Sequence, residues 1–111
     1  MKKRILLTYA TYGNGHRAVA QYIESYFKQQ DPELEILGFL LTMYDARIKL
    51  ATEVTTEIRA LFREKTFVTQ IPRNISLAEA AFVGLPVNLF RPKATGSIAY
   101  NSLAKEIISN E

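Results

Sequence analysis

The sequence predicts an α/β fold: a layered parallel sheet of about four strands, in the order 1-2-3-4, with flanking helices. Two observations carry this. Short apolar or β-branched runs alternate along the chain with amphipathic segments of helical period. Strands that alternate with helices join through right-handed crossovers into a parallel sheet. The 111 residues suit a single domain, because a chain of this size buries roughly 65% of its unfolded surface, enough for one core.

Each element follows from its local pattern. Residues 5–9 form an apolar run after a charged start and read as a buried strand. Lys2 and Lys3 read as solubilising residues ahead of an edge strand, not as part of a signal peptide, since the apolar stretch is short and Tyr12-Gly13-Asn14-Gly15-His16 is no cleavage site. Gly13-Asn14-Gly15 signals a turn. Val19, Tyr22, Ile23, Tyr26 and Phe27 recur at helical spacing, so residues 16–30 are expected to form an amphipathic helix with Tyr22, Tyr26 and Phe27 in the core. Asp31-Pro32 stops it, because proline disfavours helix in the residue before it. Ile36, Leu37, Phe39, Leu40 and Leu41 make residues 35–42 a strand covered on both faces.

Ile48, Ala51, Val54, Ile58, Leu61 and Phe62 predict a second amphipathic helix over residues 47–63. Residues 66–71 are β-branched and aromatic, a third strand that Pro72-Arg73-Asn74 leaves. Ser76 reads as an N-cap, with Glu79 completing a capping box for a short helix to Phe82 that Gly84 ends. Residues 87–90 read as a fourth, weaker strand started by Pro86. Thr95 or Ser97 caps a last helix carrying Ile98, Leu103, Ile107 and Ile108, expected on the face opposite the first two helices.

Composition limits the functions available. A hydrophobic fraction of 48% with 11% aromatics is globular. The chain has no cysteine, which excludes disulfides, thiolate zinc sites and a cysteine nucleophile, and suits a cytoplasmic location. The net charge is +3, with five basic and four acidic residues in 1–36 and nine and seven in 37–111, too even to argue for nucleic acid on charge alone. The longest strongly apolar run, residues 36–44, is far short of a membrane span. His16 is the one histidine, so no serine–histidine–acid set is evident and scattered carboxylates make a poor metal site. No catalytic residue, metal or cofactor is expected.

The glycine loop is the first site candidate: Gly13, Asn14, Gly15, His16 and Arg17. Glycines let the backbone turn tightly, and a helix start offers unpaired N–H groups and partial positive charge, a setting for phosphate or carboxylate. Gly13-x-Gly15-x-x-Ala18 fits a dinucleotide loop, but Thr42 stands where the ribose-binding acid is expected and Asp45 comes three residues later. A Walker P-loop fails, since no G-x-x-x-x-G-K-[ST] occurs. The whole then reads as a Rossmann-like or P-loop-like half. The third reading is a glycosyltransferase acceptor loop. Lys3 to about Phe27, with Gly13-Asn14-Gly15-His16 at its centre, resembles the amino terminus of the monogalactosyl and processive diacylglycerol glycosyltransferases. That resemblance implies a role for His16 in acceptor binding or base catalysis. It also implies a nucleotide-sugar domain that this chain lacks, so glycosyl transfer is not expected. The plainer reading of His16 is a helix-start residue without a ligand.

From about Leu37 the pattern changes. Gly38 to Arg47, Ile71-Pro72-Arg73-Asn74, Leu77 to Ala80, Gly84 to Val87, Ala99-Tyr100 and Leu103 to Glu106 together resemble the C-terminal part of the ParA/Soj chromosome-partitioning ATPases. The resemblance implies that Pro72, Arg73 and Asn74 help frame an adenine pocket and that Arg47 and Arg73 are candidates for DNA contact. It also places the phosphate-binding lysine loop and the magnesium-binding aspartate of that family outside this chain, so ATP hydrolysis is not expected. The plainer reading of the arginines is solvated charge near strand ends, and two of them add little affinity at physiological salt.

Taken together, these readings predict a non-catalytic chimera of the two families, joined near residues 35–38, with no evolved function; laboratory and natural origins stay open. The alternative is a residual phosphate, nucleotide or non-specific DNA-binding module. In both parents the sheet continues beyond the first strand, so an unpaired edge or an exposed apolar face is expected to invite a homodimer. Weak anion or nucleic-acid binding is the other expected partnership.

Overall fold

The structure, a computed structural model, describes residues 4–11 and 16–110, with residues 5, 9 and 16–20 as backbone only. In chain order the elements are β1 (Arg4–Ala10), α1 (His16–Gln30), β2 (Glu35–Tyr44), α2 (Lys49–Phe62), a 3-10 turn (Arg63–Lys65), β3 (Thr66–Pro72), α3 (Ile75–Val83), α4 (Val87–Phe90) and α5 (Thr95–Ser109).

The sheet is parallel and, among the described residues, has three strands in the order β1-β2-β3. The expected fourth strand is a single helical turn instead. Pro86 starts it, its carbonyl accepts from the N–H groups of Leu89 (3.0 Å) and Phe90 (2.9 Å), and the Arg91 N–H reaches Val87 O at 2.8 Å. These bonds close within the segment and take up the N–H groups of Leu89, Phe90 and Arg91 that a strand could offer a neighbour.

β2 is the central strand and carries both cores. Ile36, Phe39 and Leu41 point to one face, where Ile58 of α2 covers them and Leu7, Val54 and Phe62 fill in. Phe39 is fully buried and stacks on Phe62, ring centroids 3.8 Å apart. Leu40 points the other way, into a cluster with Phe67 and Ile71 of β3 and Leu103 of α5. The last helix therefore lies on the face opposite α2, as the pattern predicted. Each such aliphatic or aromatic side chain, once fully buried, contributes about 1.5–3 kcal/mol.

Gly38 of β2 has no room for a side chain. A Cβ there would sit 2.6 Å from Phe67 Cε2 and 2.9 Å from the Lys65 carbonyl oxygen, so only glycine leaves room for the Phe67 ring. Gly84 ends α3 in the left-handed region, φ 76°, which costs a residue without Cβ little.

Three local expectations are corrected. Tyr22, Tyr26 and Phe27 are not core: they are 68%, 47% and 37% exposed. α1 packs along β1, the terminal strand of the sheet among the described residues. The rings shield one another instead, with Tyr22 stacked on Tyr26 at 6.2 Å and Tyr26 edge-on to Phe27 at 6.1 Å. Ser76 does not cap α3. Asn74 stands at the cap position, and Ser76 is a buried hydroxyl that accepts from Arg91 Nη1 at 3.1 Å. Glu79 pairs with the same guanidinium at 2.5 Å and closes no capping box. At the last helix Ala94 is the cap; Thr95 lies inside it, and Ser97 is buried with no hydrogen-bond partner for its hydroxyl.

Candidate functional site

In a parallel sheet all strands end on the same side, and open α/β folds bind ligands in the crevice outside those carboxyl ends. Here that side carries a cleft of about 680 Å³. Its floor is formed by Thr42 and Met43 of β2 and by Ile71 and Pro72 of β3. Arg73 and Asn74 follow, and Leu77 of α3 and Tyr100 of α5 form a wall. The lining is mostly apolar with a few polar groups, the usual character of a small-molecule site.

Four bonds tie the strand ends together. The Thr11 N–H donates to Thr42 O at 2.9 Å, and the buried Thr11 hydroxyl reaches Thr42 O and Met43 O, each at 3.1 Å. The Arg73 N–H donates to Tyr44 O at 2.9 Å. Met43 is held between these ties in the left-handed region, φ 55°. A side chain with a Cβ rarely adopts that conformation, and such strain concentrates at binding sites.

Asn74 links the two helices that border the cleft. Its Nδ2 donates to Thr95 Oγ1 at 2.7 Å, while its carboxamide oxygen is buried without a partner. Gly96, the next residue along α5, lets that helix approach α3, because a Cβ there would meet Leu77 Cγ at 2.7 Å.

The turn after β2 holds an ion pair. The Arg47 backbone N–H and Nε both donate to Asp45 Oδ1 at 3.0 Å, and Nη2 donates to Oδ2 at 2.8 Å. This forked guanidinium, helped by the charge of Arg73, holds the Asp45 carboxyl down at about 2. Arg47 and Arg73 thus stand at the same end of the sheet near one carboxylate, and the Arg47 guanidinium is already engaged by it.

Of the residues singled out in the sequence, Pro72, Arg73 and Asn74 lie together at the cleft, and Arg47 is in the neighbouring turn. Gly13, Asn14 and Gly15 lie outside the described residues. His16 and Arg17 open α1, with only their backbone described. Sequence reasoning missed Thr42, Met43, Leu77 and Tyr100 as lining residues; only the crossover topology brings them to one place. Among the described residues no group of three or more His, Asp or Glu is placed to hold a metal ion, and no helix is long and apolar enough to cross a membrane.

Comparison with known proteins adds the decisive observation. The chain is 47% identical over 81 residues to the chromosome partitioning protein ParA of Caulobacter vibrioides, covering 73% of this chain and 30% of that protein. It is 43% identical over 83 residues to the sporulation initiation inhibitor protein Soj of Bacillus subtilis, covering 75% and 33%. It is 46% identical over 79 residues to the chromosome-partitioning ATPase Soj of Thermus thermophilus, covering 71% and 32%.

Most of the chain is ParA-like.

It spans about a third of the length of these relatives. No family model matches it. The ParA-like match corrects the expectation of a non-functional chimera. Its 83 residues exceed the whole stretch from Leu37 to Glu111, so it crosses the junction expected near residues 35–38. The relatives bring no support for a glycosyltransferase segment.

Proposed function

We propose that this chain forms the base-side wall of the nucleotide site in a ParA-like partitioning ATPase, with ATP as the nucleotide. The single observation that carries the reading is a coincidence of place. The segment Ile71-Pro72-Arg73-Asn74 lies within the ParA-like run and lines the apolar cleft at the carboxyl end of the sheet. A flat heteroaromatic base suits such a lining, with Pro72 and Leu77 as apolar contacts, Tyr100 as an aromatic neighbour and the Asn74 carboxamide as a directional hydrogen-bonding group.

On this reading the chain binds and orients the base, and phosphoryl transfer draws on groups it does not contain. It has no G-x-x-x-x-G-K-[ST] loop to cradle phosphates. Arg73, beside the cleft, would face the ribose or phosphate side of the ligand. The Gly13–Arg17 segment follows β1 in sequence and stands as a second anion candidate. DNA contact by Arg47 and Arg73 fits their shared end of the sheet, with Asp45 weakening it. A homodimer would use the β1 edge or the apolar surface of α3 and α4, where Phe82 is 92% and Leu89 68% exposed.

The test is an amide chemical-shift titration of the 111-residue chain with ATP, and with adenosine as a base-only probe. Shifts of the Arg73, Asn74, Ile75 and Tyr100 amides with both ligands, weakened in Asn74→Ala, are expected. An unperturbed cleft at millimolar ligand would overturn the reading.

A further inference from the structure

The outer edge of β3 is irregular. Its register against β2 shifts between Phe39↔Thr66 and Leu41↔Gln70, so Phe67, Val68 and Thr69 stand opposite Leu40 alone. A bulge of this kind turns peptide groups away from the ladder and leaves them to find other partners. Because β3 is a terminal strand among the described residues, those partners would ordinarily be water or another strand.

Side chains from opposite faces of the sheet take them. From α2, Arg59 Nη1 donates to Phe67 O at 3.1 Å and Nη2 to Val68 O at 3.3 Å. From α5, the Glu106 carboxylate accepts from the Val68 N–H at 2.7 Å and the Thr69 N–H at 2.9 Å. Both backbone polar groups of Val68 are therefore held by charged side chains, while the Val68 side chain itself is 81% exposed. An exposed β-branched residue on an unprotected edge is what an incoming strand would pair with.

We infer that Arg59 and Glu106 form a clamp that closes the β3 edge and keeps a second copy of this chain from adding its own strand there. A forked guanidinium on two carbonyls and a carboxylate on two N–H groups present the same donors and acceptors as a neighbouring strand, so the clamp occupies the edge by imitating one. A second copy is the excluded occupant because any folded copy carries the same edge, and edge-to-edge pairing of identical strands is the characteristic failure of an open sheet. The clamp directs any self-association of the folded chain away from β3.

The experiment measures self-association of the whole chain by sedimentation velocity across a concentration series, for the parent, Glu106→Ala, Arg59→Ala, and Glu106→Ala combined with Val68→Lys. Opening the clamp frees backbone hydrogen bonds for pairing, so Glu106→Ala is expected to tighten self-association by about tenfold or more. Val68→Lys, a charge on the edge itself, is expected to reverse that change without restoring thermal stability. Thermal denaturation of each variant separates misfolding from pairing. A Glu106→Ala chain that melts lower yet associates no more than the parent would overturn the inference, leaving the clamp a tether between helices and sheet. Association that Val68→Lys leaves in place would overturn it as well, since the contact would then lie elsewhere.

Discussion

Replacing Gly38 with alanine tests the packing that positions the cleft. The added methyl would meet the Phe67 ring at 2.6 and 3.0 Å and the Lys65 carbonyl oxygen at 2.9 Å. Neither obstacle yields easily. Phe67 is buried in the cluster with Leu40, Ile71 and Leu103, and the carbonyl belongs to the 3-10 turn that feeds β3. Overpacking of this kind costs about 1–3 kcal/mol. Against it stands about 0.4–1 kcal/mol gained because alanine restricts the unfolded chain. The net expectation is a loss of about 1–2 kcal/mol, seen in urea as a midpoint about 1 M lower if the slope lies near 1–2 kcal/mol/M. A double-mutant cycle with Phe67→Leu, which removes the ring atoms nearest the new methyl, should show the second substitution costing less in the alanine background. A Gly38→Ala chain as stable as the parent, or additive effects in the cycle, would refute the close-approach argument.

Other consequences follow from the same structure. Phe39→Ala empties the centre of the core between β2 and α2 and should cost about 3–5 kcal/mol in urea unfolding. Burial pushes the Glu106 carboxyl up, but the N–H groups of Thr69 and Val68 and the charge of Arg59 outweigh it and hold the group below its ordinary value. Its contribution is therefore present above the usual glutamate range and lost as pH falls through and below it, so Glu106→Gln should flatten the acid limb of a stability-against-pH curve. An unchanged slope would contradict that assignment. Asp45→Asn releases Arg47 from its fork and should strengthen retention on duplex DNA at low salt, with the salt slope steeper by about one. Unaltered retention would argue that the arginine rim does not touch phosphate.

How much was legible in the sequence depended on how local the cause was. The strand–helix alternation, the apolar run of β2 and the glycine stop of α3 are written in neighbouring residues, and the structure shows all of them. Val87-Asn88-Leu89-Phe90 has strand-like composition after a proline, yet only four residues lie between Pro86 and Arg91, and i-to-i+3 and i-to-i+4 bonds close them into a helical turn. The α1 aromatics have helical spacing, but spacing cannot report that the strand beneath them is the last in the sheet among the described residues. At the candidate site Pro72, Arg73 and Asn74 stood out through resemblance, whereas Leu77 and Tyr100 come from helices whose crossing over the cleft depends on Gly96. The β3 clamp was invisible for the same reason: Glu106 bonds to backbone 37 and 38 residues away, and backbone partners carry no sequence signal. The chimera reading set a junction near residues 35–38 between two resemblances, and the 83-residue ParA-like match runs across it.

Photo-crosslinking with 8-azidoadenosine triphosphate, followed by peptide mapping, addresses the nucleotide assignment most directly. The label should fall on the peptides containing Pro72–Ala78 and Tyr100 and be competed away by unlabelled ATP. Labelling confined to other surfaces, or none that ATP displaces, would mean that the cleft at the end of the sheet does not receive the base.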